Sequence, residues 1–191
     1  MATPVQQYFR FYEDGTESGS TAIAAQNTNI TRDAASNSNL LLRISVTESD
    51  GVSGAATDDW QLQYSLNGGS YTNITTSSSV VKGFDSTNLT DGGATTQRLS
   101  SNGVTWIAGK IAEDGLVDNH QLTSLNATEY LFTLTIISAD VSHNNTIDFR
   151  LLLNGSTFTS LGGTYAVTPR ITISKGNFGR KLAYGSGRLV F

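Results

Sequence analysis

The stretch WQLQYSLNGGSYTNIT, residues 60–75, decides the fold. Trp60, Leu62, Tyr64 and Leu66 alternate with Gln61, Gln63 and Ser65, the period of two that sends successive side chains to opposite faces of a strand. Asn67-Gly68-Gly69 follows, and a two-residue type I′ turn needs residues that tolerate positive φ at both central positions. Beyond the turn Tyr71, Asn73 and Thr75 share one face and Ile74 takes the other. The stretch therefore predicts a β-hairpin whose register is pinned by a buried face of large side chains, a fold-making unit and not a recognition loop.

The same alternation recurs on both sides. LLLRISVTE (40–48) sends Leu40, Leu42, Ile44 and Val46 inward and Arg43, Ser45 and Thr47 outward; TIDFRLLLN (146–154) sends Ile147, Phe149, Leu151 and Leu153 inward. EYLFTLTII (129–137) is apolar on both faces, the mark of a central sandwich strand or a buried helix, and its β-branched and aromatic content favours the strand. QYFRFYE (7–13) reads as a strand with Phe9 and Phe11 on one face, paired with TAIAAQ (21–26). Residues 27–39 read as a polar loop, and 104–118 as strand-like with Trp106 and Ile107 buried. PRITIS (169–174) closes the set, with Pro169 suited to a first-residue or edge position.

Seven or more short strands without an amphipathic helix predict an all-β protein, an antiparallel β-sandwich with N-terminal and C-terminal extensions. The order strand, polar corner, strand, loop, strand over 129–174 resembles the last three strands of immunoglobulin-like and fibronectin III-like domains. The resemblance is partial, because Ile147 and Phe149 stand where a tyrosine corner would place Tyr. One sandwich domain is expected over 1–175, followed by a Gly-rich basic arm, 176–191. Within the domain, 76–103 has no sustained period and forms a long excursion, with strand pieces around Val80-Val81 and Gln97–Leu99. Loops of this length are usually functional or mobile.

Composition narrows the function. The chain has 25 Thr and 22 Ser but only 15% charged residues, so its surface is built of hydroxyls and amides, which suits packing beside other proteins or copies of itself. With no Cys there is no disulfide, thiolate metal site or Cys nucleophile. No export signal opens the chain and no run approaches the roughly 20 apolar residues of a membrane helix, so no membrane partner is expected. Residues 1–169 hold all 16 acids and 7 bases, whereas 170–191 hold 5 bases and no acid. Such a tail suits docking on the acidic face of a neighbouring copy, or plain solvation, ahead of nucleic-acid binding. Its candidate interface residues are Phe178, Arg180, Lys181, Leu182, Tyr184, Arg188, Leu189 and Phe191.

No catalytic residue, metal ligand or cofactor is expected. His120 and His143 read as solvated turn residues, and there is no Gly-x-Ser-x-Gly elbow. Glu113, Asp114, Asp118 and Asn119 in EDGLVDN lack the alternating acids of a calcium loop and read as turn chemistry. Six Asn-x-Ser/Thr triplets, at Asn29, Asn73, Asn88, Asn126, Asn144 and Asn154, follow from the Asn- and hydroxyl-rich composition. Trp60 and Tyr64 belong to the core, leaving Tyr71 or Phe84 as an exposed sugar platform. Phe84, Asp85 and Asn88 are the candidate recognition residues of the excursion.

The phrases LLLRISVTESDG, WQLQYSLNGGSYTNIT, SSSVVKGFDSTNLTDGGATTQRL and ADVSHNNTIDFRLLLNG resemble structural virion proteins of tailed bacteriophages, a thinly characterised group, over roughly residues 7–174. The resemblance implies a virion β-sandwich without enzyme activity. It points to a capsid decoration (cement) protein assembled in the host cytoplasm. Such a protein would sit on the capsid exterior, bind the major capsid protein or other virion proteins and form a homo-oligomer, with a trimer favoured. The alternatives are a tail or fibre protein that reads the host surface with 76–103, and a carbohydrate-binding module.

Overall fold

The computed structural model describes residues 2–175. In chain order the strands are β1 (Pro4–Tyr12), β2 (Ile30–Asp33), β3 (Ser38–Glu48), β4 (Trp60–Leu66), β5 (Thr72–Asn73), β6 (Val81–Lys82) and β7 (Thr105–Trp106). They continue with β8 (Ile111–Ala112), β9 (Leu116–Val117), β10 (Asn126–Ile136), β11 (Thr146–Leu153), β12 (Ser156–Thr157), β13 (Thr164–Tyr165) and β14 (Arg170–Ser174). One sheet runs β13-β1-β3-β10-β6, with β7 and β8 also on β10; the other runs β2-β14-β11-β4-β5, with β12 on β11 and β9 on β4. The path β1-β3-β10-β6 is the A-B-E-D order of an immunoglobulin-like sandwich, and β14-β11-β4 is its G-F-C order.

The sheets are mixed where the sequence predicts antiparallel pairing throughout. β13 runs parallel to β1, β2 to β14, and β7 and β8 to β10. All four are short strands brought alongside by long connections, which parallel pairing requires and hairpins cannot supply.

The inward faces are those the alternation predicts. Leu40, Leu42, Ile44 and Val46 of β3 meet Trp60, Leu62 and Tyr64 of β4 and Ile147, Phe149, Leu151 and Leu153 of β11 in one core. Tyr130, Phe132, Leu134 and Ile136 of β10 complete it. Trp60 is fully buried, tilted on Tyr130 at 5.1 Å and edge-on to Phe158 at 5.9 Å. Burial of each such side chain contributes roughly 1.5–3 kcal/mol. The hairpin turn is type I′: Asn67 and Gly68 have φ of 52° and 71°, and the Gly69 N–H donates to Leu66 O at 3.0 Å. Past the turn Tyr64 pairs with Thr72, one residue beyond the strict two-residue register, so the return strand bulges and β5 is short. Ile74 re-enters the core as predicted.

Several expectations are corrected. β1 pairs with β3 along its length; 21–26 does lie antiparallel beside its end as expected, through the Tyr12–Ala22 bridge, the Ile23 N–H on Phe11 O (2.9 Å) and the Glu13 N–H on Thr21 O (2.9 Å), but forms no strand of its own. The polar loop 27–39 contains β2, which lies beside β14, so β14 is no edge and Pro169 only precedes it. Gln97–Leu99 forms no strand. Trp106 and Ile107 are half-buried, because β7 lies at the rim beside the first residues of β10; Ile111, Ala112 and Val117 are buried instead.

Candidate interaction surfaces

On the outward face of β3, Arg43, Ser45 and Thr47 are buried, not solvated. The cover is the excursion. After β6 the chain crosses the outer face of the β1-β3-β10 sheet and is fastened there. The Thr133 hydroxyl donates to Phe84 O (2.6 Å) and accepts the Phe84 N–H, Glu113 Oε1 accepts the Ser86 N–H (2.7 Å), and Thr95 Oγ1 donates to Glu129 O (2.8 Å).

Beneath this layer lies an ionic network. Arg43 and Glu129 are both fully buried, with Nη1 donating to Oε2 at 2.9 Å. Glu129 also accepts the backbone N–H groups of Arg98 and Leu99, and Arg43 donates to Thr96 O (2.7 Å) and to Glu17. The Arg98 guanidinium sits over the Tyr12 ring at 4.5 Å and donates to Ser20 and Glu17 O. Next to it Tyr12, Leu41, Ile111 and Leu131 form a second apolar cluster. Burial pushes the Glu129 carboxyl above its ordinary value, outweighing the Leu99 N–H and the Arg43 charge. For Glu17 burial also pushes upward, but the bonds from Arg43 and Thr96 win and hold the carboxyl below its ordinary value.

The predicted recognition residues fall on this layer. Phe84 is half-buried, whereas Asp85 and Asn88 are exposed; the backbone that carries them is tied down at Phe84 and Ser86. The excursion is thus a fixed surface. Phe178, Arg180, Lys181, Leu182, Tyr184, Arg188, Leu189 and Phe191 lie outside the described residues. On the outer face of the other sheet, Arg150 stacks on Tyr71 at 3.8 Å and donates to Gln63 Oε1 (2.9 Å), and Arg170 forks onto Asp148 (2.6 and 2.9 Å). One face of the Tyr71 ring is therefore occupied by a guanidinium.

His120 is not the solvated turn residue the sequence predicts. Its Nε2 faces Ala108 O at 2.8 Å and its Nδ1 faces the Tyr130 hydroxyl at 3.0 Å. A carbonyl can only accept, so the neutral ring carries its proton on Nε2 and takes the Tyr130 O–H at Nδ1. Burial pushes the imidazole below its ordinary value against the Ala108 bond, and Lys110 adds to the depression. Burial likewise raises the Tyr130 hydroxyl, helped by Asp58. The Trp60 indole N–H donates to His120 O at 2.8 Å, so this group ties the loop 118–125 to the core. His143 is exposed, as expected.

Of the acids of EDGLVDN, Asp114 serves its turn, its Oδ1 accepting the Leu116 N–H (2.9 Å), whereas Glu113 is buried and holds the Ser86 N–H of the excursion instead of a turn. Among the described residues no group of three or more His, Cys, Asp or Glu is arranged to hold a metal ion, and no helix is long and apolar enough to cross a membrane. A concavity lined by Asp91, Lys110, Ile111 and Asp118 has a volume of about 60 Å³, room for water but well short of the roughly 300 Å³ of small-ligand sites. The buried network and the His120 contacts escaped the sequence reading. One signal was present: Leu41 and Leu131 are apolar on the outward faces of their strands. No family model matches the chain, and no curated protein matches it.

Proposed function

We propose that this protein is a non-enzymatic structural component of a bacteriophage virion, a decoration (cement) protein that binds the major capsid shell from outside and stabilises it. The sequence phrases resembling virion proteins motivate the reading, and the second layer supports it. The chain devotes 83–100 to sealing the outer face of a sheet through a buried ion pair and side-chain-to-backbone bonds. This makes a braced body whose exposed residues are mostly polar, with Val52 and Leu125 the exposed large hydrophobics among the described residues. Such a body suits a surface that lies against other proteins better than one that encloses a ligand.

The test is quantitative mass spectrometry of purified particles, with heat stability of particles made with and without the protein. Decoration predicts a copy number comparable to that of the major capsid protein and a lower melting temperature without it. A few copies confined to the tail would overturn it in favour of a tail or fibre protein. Saturable glycan binding lost in Tyr71→Ala or Phe84→Ala would overturn it in favour of a carbohydrate-binding module.

A further inference from the structure

Loops 49–59 and 118–125 close one end of the sandwich and are bonded together. The Gly54 N–H donates to Leu122 O (2.8 Å), the Ser124 N–H to Ser53 Oγ (2.9 Å) and the His120 N–H to Asp58 O (2.8 Å). The buried Glu48 carboxylate joins them further, accepting the N–H groups of Asp50, Gly51 and Leu125 at 2.9, 2.9 and 2.8 Å. On this end stand Leu125, 54% exposed, and Val52, 44% exposed. Leu125 holds φ at 52°, a left-handed conformation that disfavours a branched apolar side chain and that Gly or Asn would adopt with less strain. Leu125 thus combines a strained backbone with an apolar side chain exposed to the outside. The two loops also carry the exposed Asp50 and Asp118 and the half-buried Asp59, with Asp58 buried, and no Lys or Arg; the neighbouring Lys110 is engaged with the carbonyls of Asp118 and Asn119.

At the opposite end β14 finishes beside the β10–β11 corner, where the Lys175 N–H meets His143 Nδ1 (3.3 Å) and its Nζ donates to Ser138 O (2.6 Å). The sequence continues into 176–191, which combine Arg180, Lys181 and Arg188 with Phe178, Leu182, Tyr184, Leu189, Val190 and Phe191. That is the complement of the far end in both charge and polarity. The two ends are separated by the 11 residues of β10, roughly 36 Å at a strand's rise. An arm turning back to its own far end would spend about 11 extended residues on the journey, Phe178, Arg180, Lys181, Leu182 and Tyr184 among them. An end-to-end neighbour needs none.

We propose that the basic, apolar arm 176–191 of one copy docks on the acidic end carrying Leu125 and Val52 of a second copy, a heterologous contact that closes into a ring when the rotation between copies allows. The contact concerns self-association and stands whether or not the protein decorates a capsid.

The test uses the full chain and two variants, each defective in one half of the contact, followed by light scattering after size exclusion. Leu125→Asn removes the apolar residue from the end while suiting its backbone, so it denatures no earlier than the parent and yet is monomeric. Arg180→Glu/Lys181→Glu leaves the end intact and reverses the arm, and it too is monomeric. Mixed, the two form a one-to-one dimer that grows no further, because the intact arm of the first meets the intact end of the second. Raised salt dissolves the parent assembly and the mixed dimer alike. A monomeric parent, a Leu125→Asn variant that associates as the parent does, or a mixture that stays monomeric beside an associating parent overturns the proposal.

Discussion

The buried pair of Arg43 and Glu129 makes an asymmetric and measurable prediction. Removing one partner of a buried, hydrogen-bonded ion pair costs about 3–5 kcal/mol, because the other charge is left in low dielectric. Glu129→Leu leaves a buried guanidinium, which cannot give up its proton within the stable pH range, with Glu17 as its remaining carboxylate partner, and it orphans the Arg98 and Leu99 amides. The full cost applies at every pH. In Arg43→Met the stranded group is a carboxyl, which escapes by taking up a proton. From the ordinary carboxyl value of 4.5 that escape costs about 3 kcal/mol at about pH 7 and under about 1 kcal/mol at about pH 5. At neutral pH the two variants are therefore comparably unstable, and on acidification the penalty of Arg43→Met shrinks while that of Glu129→Leu persists.

The assay is urea unfolding of the parent, both single variants and the double variant at the two pH values. With a slope of about 2 kcal/mol per molar, a loss of 3–5 kcal/mol moves the midpoint by about 1.5–2.5 M. The double variant Arg43→Met/Glu129→Leu leaves no buried charge at the pair, only the orphaned amides at about 1–3 kcal/mol and a partly exposed Glu17 that keeps its bonds from Thr96, so it is more stable than Glu129→Leu alone. Hydrogen exchange at Arg98 and Leu99 accelerates in Glu129→Leu ahead of the sandwich strands, since those amides lose their acceptor. If the penalties of the two single variants keep a constant ratio across pH, or if the double variant is as unstable as the sum of the singles, the network is not fastening the layer electrostatically and the reasoning fails.

Two further outcomes follow from the geometry. His120 is depressed below its ordinary 6.5, so between its folded and unfolded values the unfolded chain binds a proton that the folded chain refuses; stability is full above 6.5 and falls as pH drops through it. Denaturation midpoints taken above and below 6.5 should show this decline in the parent and a flatter profile in His120→Asn, and identical profiles would refute the assignment. In the hairpin turn, Gly68→Ala places a Cβ at φ 71° and should cost about 1 kcal/mol, while Asn67→Ala also removes the acceptor of the Thr146 N–H and should cost about 1–2 kcal/mol. Thermal melts in which Asn67→Ala matches the parent would show that the turn does not set the register.

How much of this was legible depends on which face of a strand is in question. The inward sets of β3, β4 and β11 were readable because one apolar face recurs every second residue, and a slip of one would expose all of it. The outward sets misled. Arg43, Ser45, Thr47 and Glu129 carry the polarity of a solvated face, yet each is buried. What covers them is chain without a period, whose attachment depends on contacts such as Glu129 to Leu99 and Arg43 to Thr96. No local rule records these. β2 escaped for the same reason, since ITRD has no apolar stripe and is a strand only because β14, about 140 positions later, offers it an edge.

The interaction surfaces follow the same division, and this decides where function is to be sought. Phe84, Asp85 and Asn88 were singled out because a long aperiodic loop is commonly a binding loop; the excursion covers a sheet, with Asp85 and Asn88 among its exposed residues. Leu125 drew no attention in sequence, where a single Leu after Thr-Ser is unremarkable among turn residues. Its backbone conformation and exposure together set it apart, since Val80 also holds a positive φ, 62°, but is buried. An apolar residue strained into the left-handed region and left more than half exposed is poorly explained by the stability of its own chain. The proposed arm contact supplies such compensation from outside the chain, and on that proposal the acidic end joins the exposed residues of the excursion as a place to look for a partner.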